Sequence, residues 1–243
     1  MDNLKDRMLS ISEAASYLGV SEMTLRRWHD SGKLKATMLT PGGQRRYSIS
    51  DLQKIKKGLF RIAHDWASSA EAYEPDDEFY CPTSDVFKTR HTKMAILLDQ
   101  ASVGFQPSLI SSAAGEIGNN SFDHNLGNWP DISGAFFSYD LNKRIIVIAD
   151  RGVGVLATLQ KVQPDLQTHE QALNVAFTKI VSGRAPENRG NGLKFAKDAL
   201  TQAKAELFFQ SGDAVLEISK KSGELKIHKS DDFIRGALSI IKF

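Results

Sequence analysis

The sequence predicts a small winged helix-turn-helix domain followed by an α+β two-layer sandwich, with a mixed, mostly antiparallel sheet and helices on one face. Three observations predict it. Two short helical segments around Gly19 precede a hairpin pattern inside the first sixty residues. Lys and Arg outnumber Asp and Glu by 11 to 6 through residue 60, whereas the remainder carries 20 against 23, so a basic head joins a slightly acidic body. Beyond residue 106, helical periodicity and short alternating apolar runs follow one another, with no series of parallel crossovers.

The head reads in order. Ser12–Leu18 forms a short helix with Ser10 or Ser12 as N-cap and Gly19-Val20 as its stop. Ser21 caps a second helix that runs to Asp30 and ends at Ser31-Gly32. Residues 33–49 form a hairpin, or wing, with its tip at Thr40-Pro41-Gly42-Gly43-Gln44 and its return strand at Arg45-Arg46-Tyr47-Ser48-Ile49. Leu52, Ile55, Leu59, Ile62 and Trp66 recur at spacings of three and four and predict a helix over 50–73. Residues 74–85 mix acids with prolines and read as a linker or an entry strand. The expected domains are 1–60, a helix and linker over 61–85, and 86–243.

In the body a helix is expected over 86–100, although the apolar run Met94–Leu98 also suits a strand. A helix over 107–126 leads to strands at 133–140 and 144–149, joined by the turn Asp140-Leu141-Asn142-Lys143. Gly152 and Gly154 open a loop, helices fit 168–182 and 192–203, and a glycine-rich segment separates them. Strands at 205–210, 213–219 and 224–229 are divided by turn signals at Ser211-Gly212 and Lys221-Ser222-Gly223, and a last strand fits 236–242.

The chemistry concentrates in the helix over 107–126. Glu116, Asn120 and Asp123 stand at i, i+4 and i+7 and share one polar face in a segment otherwise suited to burial. Two glycine clusters lie downstream, Asp150-Arg151-Gly152-Val153-Gly154 and Arg189-Gly190-Asn191-Gly192-Leu193. An acid that can orient a water, an amide oxygen that can hold Mg²⁺ and two loops whose backbone can approach phosphates make up a site for ATP.

Ile11-Ser12-Glu13-Ala14-Ala15, Leu18-Gly19-Val20-Ser21, Thr24-Leu25-Arg26-Arg27-Trp28 and Gly42-Gly43-Gln44-Arg45-Arg46-Tyr47, with Asp51-Leu52 behind them, resemble the MerR-type winged helix-turn-helix family over about residues 9–58. The resemblance implies double-stranded DNA as a partner. Thr24, Arg26 and Arg27 would meet the major groove, and Arg45, Arg46 and Tyr47 of the wing would meet phosphates. Trp28 reads as core volume. The long dimerising coiled coil usual in that family is stopped here by Pro75, Pro82 and the acidic run Glu74–Glu78, so dimerisation comes from elsewhere or the protein binds DNA as a monomer.

The order of motifs over about residues 85–243 resembles the GHKL superfamily, the Bergerat ATP-binding fold shared by DNA gyrase, MutL and the histidine kinases. The resemblance implies that Glu116 orients the attacking water and that Asn120 is the Mg²⁺ ligand, with Asp123 on the same cofactor-binding face. Asp150 would accept the adenine amino group, and Gly152 and Gly154 would let the backbone approach base and ribose. Gly190, Asn191, Gly192 and Leu193 would surround the phosphates beneath a lid over 155–189. The histidine kinases typically carry Asn where Glu116 stands, and His64 and His91 sit in no phosphoacceptor motif, so hydrolysis is favoured over phosphoryl transfer to protein. His124, Ala237 after Gly236 and the lack of a following domain to donate a lysine imply slow turnover. Lys179, Arg184, Lys194 and Lys197 are the candidate phosphate contacts.

With 41% hydrophobic and 25% charged residues the chain is ordinary globular material, and no run of about 18 apolar residues suggests a membrane partner. A lone Cys81 offers neither an internal disulfide nor a cysteine metal cluster, and the N-terminus has no apolar segment of the secretory kind, so the cytoplasm is expected. The expected function is a DNA-binding regulator whose second domain binds Mg-ATP and hydrolyses it slowly to control dimerisation or DNA binding, with a homodimer or a protein partner left open. The alternatives are a nucleotide-sensing regulator without turnover and a protein kinase of the anti-sigma type.

Overall fold

Ser10 ends the first strand and begins the first helix, and its side chain accounts for both. Its Oγ accepts from Glu13 N–H at 3.2 Å while its own N–H donates to Glu13 Oε2 at 2.8 Å, so two otherwise unpaired donors are satisfied reciprocally. The computed structural model describes residues 7–32, 34–56, 58–101, 104–179, 191–220 and 222–243, and it divides into two compact units, Met1–Ile62 and Ala63–Phe243.

In the first unit β1 (Met8–Ser10) leads directly into α1 (Ile11–Leu18), which Gly19 ends in a left-handed conformation, φ 72°. The Ser21 side chain accepts from Thr24 N–H and starts α2 (Glu22–Asp30). The wing strands β2 (Met38–Leu39) and β3 (Arg45–Ser48) pair antiparallel, and β1 pairs on the other side of β3. That third strand is absent from the sequence reading because three residues are too few to show alternation. Leu18, Leu25, Trp28, Tyr47 and Leu52 fill the interior, the last from α3 (Ile49–Lys56).

The division between units falls within α4 (Gly58–Ser68). The second unit continues with β4 (Tyr80–Cys81), α5 (Ser84–Gln100), α6 (Pro107–Asp123), β5 (Ala135–Asp140) and β6 (Ile145–Asp150). Then come α7 (Gly154–Gln160), α8 (His169–Thr178), α9 (Gly192–Gln202), β7 (Glu206–Ile218) and β8 (Leu225–Lys242). The sheet order is β4-β5-β6-β8-β7. Register places Phe137, Ile148, Ser239 and Phe209 in one row across four strands, and this face packs on α5, α6, α8 and α9 through residues such as Phe87, Ile117, Phe177 and Leu200. The opposite face is not open: Phe136 is fully buried, stacked on Phe79 at 5.0 Å between ring centres and 6.4 Å from the Trp66 ring of α4.

Four expectations are corrected. Among the described residues every strand pair in the second unit is antiparallel, where a mixed sheet was expected. The expected four short strands after residue 204 are two long ones, β7 and β8. Ser211-Gly212 is not a turn but an irregularity inside β7, where register shifts occur between Gln210 and Gly212 and between Gly212 and Ala214. Gly212 has φ 62°, and a Cβ there would lie 2.2 Å from the His169 ring, so glycine is required by packing as well as by backbone. Lastly, α7 occupies residues expected to be loop, whereas Met94–Leu98 is helical within α5, as the helix expected over 86–100 has it.

A Cβ on Gly118 of α6 would fall 1.9 Å from the Phe87 ring. Gly118→Ala should therefore destabilise the protein by about 1–3 kcal/mol, read as a lower urea midpoint. Ser10→Ala, which removes one cap of α1, should cost about 1 kcal/mol.

Candidate nucleotide site and nucleic-acid interface

Pro107 opens α6, where its missing N–H costs nothing, and the helix buries Ile110, Ala114, Ile117, Gly118, Ser121 and Phe122. Glu116 and Asn120 lie on the half-buried flank and converge on the first residue of α9. A Cβ on Gly192 would sit 2.7 Å from Glu116 Oε2 and 3.2 Å from Asn120 Nδ2. A larger residue there would have to push both side-chain ends aside. Beside it, the Asn191 side chain makes no capping bond, and its Oδ1 is buried without a partner among the described residues. Leu193 packs against the core. Asp123, one helical turn beyond Asn120, is exposed. Gly190 and Arg184 lie outside the described residues, as does the part of the expected lid from 180 to 189.

Asp150 ends β6 and is 4% exposed. Ser121 donates its hydroxyl to Oδ2 at 2.9 Å, Gly152 N–H donates to Oδ1 at 2.8 Å, and Ala237 N–H adds a third bond. Burial pushes the carboxyl up to about 6, against the lowering effect of those three donors. A carboxylate offers about four acceptor positions, so one remains for a further donor. The loop after Asp150 is built tightly. A Cβ on Gly236 would lie 2.3 Å from Asp150 Oδ1, and one on Gly152 would lie 2.0 Å from Asn125 Nδ2. Gly154 has φ 80° and faces the Arg235 carbonyl oxygen and Ser211 Oγ.

Structure adds residues that sequence reasoning missed. Buried Asn125 accepts from Val153 N–H at 2.9 Å and donates to the Ser121 carbonyl at 2.8 Å. Ser211 Oγ accepts from Val155 N–H and donates to the Gly236 carbonyl. Arg151 is fully buried. Its Nη1 donates to the Ser69 carbonyl at 2.9 Å and to the Trp66 carbonyl in the last turn of α4, while Nη2 meets Asp131 Oδ2 at 2.6 Å. Arg235 meets the same Asp131 oxygen. Burial raises the Asp131 carboxyl, but the Arg151 hydrogen bond, the Ile132 N–H and the charges of Arg151 and Arg235 together hold it below the ordinary range.

The other candidate contacts are placed as follows. Lys194 and Lys197 pair with Asp198 on α9, at 3.2 Å and 2.9 Å. Lys179 is the C-cap of α8. His91 packs between α5 and α6, with Nε2 2.8 Å from the Ser111 carbonyl oxygen, and His64 faces Asp232. Among the described residues no group of three or more His, Cys, Asp or Glu side chains is placed to hold a metal, and no helix is long and apolar enough to cross a membrane.

In the first unit Arg27 is exposed on α2, Arg26 is half-buried with its guanidinium 2.9 Å from Glu22, Arg45 reaches Asp30 at 3.4 Å, and Arg46 lies half-buried in β3. Thr24 and Tyr47 are interior, contrary to the expectation that they face DNA. Thr24 is 3% exposed and its hydroxyl lies 3.0 Å from that of the N-cap Ser21. Tyr47 is fully buried in the second half of β3, where Ser48 is buried as well, and it supplies volume to the interior.

Residues 8–58 match the family described as a helix-turn-helix domain, the same stretch that carries β1 through α3. Over 73 residues, 30% of this chain and 26% of the relative, the sequence is 36% identical to the transcriptional repressor DcmR of Methylorubrum extorquens (strain DSM 6343 / CIP 106787 / DM4). The chain thus spans about a quarter of that relative's length.

Three outcomes follow from the site's electrostatics. Because the folded Asp150 carboxyl lies near 6, above its ordinary 3.8, its ionised form opposes folding. This group makes stability rise as pH falls from above 6 towards 4, by about 3 kcal/mol in all. Asp150→Asn, which keeps the Gly152 bond on its oxygen and can donate its amide to the Ser121 hydroxyl, should abolish that dependence in urea titrations between pH 4.5 and 8. Asp131→Asn leaves Arg151 buried and poorly compensated and should cost about 3–5 kcal/mol. Arg235→Ala, at a more exposed partner, should cost under about 1 kcal/mol.

Proposed function

We propose that this protein is a DNA-binding regulator whose second unit binds Mg-ATP. The observation that carries the nucleotide reading is the convergence of Glu116 and Asn120 on Gly192, with Asp150 buried at the end of the adjoining strand and retaining one acceptor position. Support for the regulatory reading comes from the helix-turn-helix match and from the repressor named among its relatives. On this reading the first unit is of the MerR type and the second has the GHKL fold.

The residues present fit the proposed ligands. Asp150 would accept the adenine amino group, and Gly152 and Gly154 would present backbone to base and ribose in a loop held by Asn125, Ser211 and the Arg235 carbonyl. Gly192, at the N-terminus of α9, would bring backbone N–H groups to phosphate. The unpartnered Asn191 Oδ1 lies beside that position. Asn120 would supply an oxygen to Mg²⁺, which when bound neutralises phosphate charge. Glu116 would orient a water and take its proton as the water attacks the γ-phosphorus, whose bond to the bridging oxygen breaks to release ADP. Both side chains stand free of hydrogen bonds within the described residues, as groups awaiting a ligand must. Nothing among the described residues places a free lysine at this point, since Lys194 and Lys197 are held by Asp198. Turnover should accordingly be slow. ATP would close the segment around α7 and α8 and promote dimerisation, which sets two DNA-binding heads at a fixed spacing.

The test is ATP binding and Mg²⁺-dependent phosphate release by the full chain, with and without duplex DNA, for wild type, Asp150→Asn and Glu116→Ala. Wild type should bind and turn over, Asp150→Asn should lose binding by at least tenfold while remaining folded, and Glu116→Ala should bind but lose turnover. Binding without release in wild type would leave a nucleotide sensor, and labelled phosphate on protein would leave a kinase. Absence of any nucleotide binding would sink the reading. An unchanged oligomeric state with Mg-ATP would remove the dimerisation step alone.

A further inference from the structure

The helix α2 has two faces of different character. Thr24, Leu25 and Trp28 are buried, whereas Met23, Arg27 and Asp30 are exposed and Arg26 lies between. Met23 is 68% exposed, more than any other large apolar residue described in the first unit. It is the second residue of α2, so Arg26 and Arg27, three and four positions on, stand beside it on the same surface. Arg26 is oriented by Glu22 at 2.9 Å. An apolar side chain set among guanidinium groups has no favourable contact with phosphate. In a helix-turn-helix the first residues of the second helix meet base edges, and the apolar group on a major-groove base edge is the thymine C5-methyl. Thr24, the other candidate in this turn, is withdrawn into the N-cap and cannot reach out.

We propose that Met23 is a specificity-determining residue that reads the C5-methyl group of a thymine in the major groove, while Arg26 and Arg27 supply the flanking charge. The inference rests on the reading of the first unit as a duplex-DNA binder and deepens it. The thioether, flexible and polarisable, suits contact with a methyl edge whose position varies with local groove shape.

The experiment uses the full chain. A preferred site is first selected from a random duplex library, and each thymine in it is then replaced singly by uracil, which removes the methyl and nothing else. Affinities are compared at one fixed salt concentration because phosphate contacts dominate the total. Wild type should lose about fourfold, the value of returning one buried methyl to water, at one thymine per bound head. Met23→Ala should bind the thymine and uracil duplexes equally, and Met23→Leu should keep most of the discrimination. Because Met23 is exposed, both variants should fold as wild type does. Uracil without effect at every position, or an equal loss in wild type and Met23→Ala, overturns the inference and leaves DNA binding intact. Failure of the full chain to bind any duplex removes the DNA-binding reading and this inference together.

Discussion

Two consecutive residues, the last of β6 and the one after it, carry opposite charges, and both are almost wholly buried. An ion moved into the interior loses several kcal/mol of hydration, about the size of a domain's net stability, so the surroundings of Asp150 and Arg151 have to be built to answer it. Asp150 is answered by a hydroxyl and by backbone N–H groups, which requires Ser121 on α6 and the absence of a side chain at Gly236. Arg151 points away from it, to Asp131 and to the carbonyl groups that α4 leaves free at its end. The consequence is a loop fixed on both sides. Gly152 and Gly154 then have no room for anything but backbone, with Asn125 and Ser211 filling the space.

The two units solve different problems. The first is small, and its few buried aromatics and its reciprocal Ser10–Glu13 cap hold a scaffold whose outward surface remains basic. The second is large enough to bury polar groups with their partners. Within it, satisfied polar residues surround Asp150, while Glu116, Asn120 and Asn191 are left facing Gly192. Such a division between a rigid half, bonded but for one acceptor position on Asp150, and an unengaged half is what a binding site requires, since the rigid half fixes the geometry and the unengaged groups gain from a ligand.

Much of this was legible in the sequence, and the rest was hidden for a physical reason. The i, i+4 spacing of Glu116 and Asn120 needs only a helix, so α6 and its polar flank could be read locally. The glycines at 152, 154 and 192 were legible as close approaches, though not what approaches them. Asn125 and Ser121 act on residues 28 and 29 positions away, and Arg235 meets a carboxylate 104 positions away, separations that carry no periodic signal. Ser211-Gly212 misled because a Ser-Gly pair is a turn signal by composition, whereas the His169 ring and the twist of a long strand decided the matter. Thr24 and Tyr47 misled because a motif gives residue types and not which way they face.

The place of β8 in the sheet has consequences for how the chain folds. It lies between β6 and β7, yet the pairing of Asp150 with Ala237 joins residues far apart in sequence. Closing so long a loop before any ladder bonds form is slow. Until it happens, the β5–β6 hairpin presents an unpaired edge of Ile and Val, with nothing to stop a second chain from adding there. The same strand that completes the wall around Asp150 is therefore the one whose delay exposes the molecule to self-association, and refolding yield should depend on protein concentration more steeply than final stability would suggest.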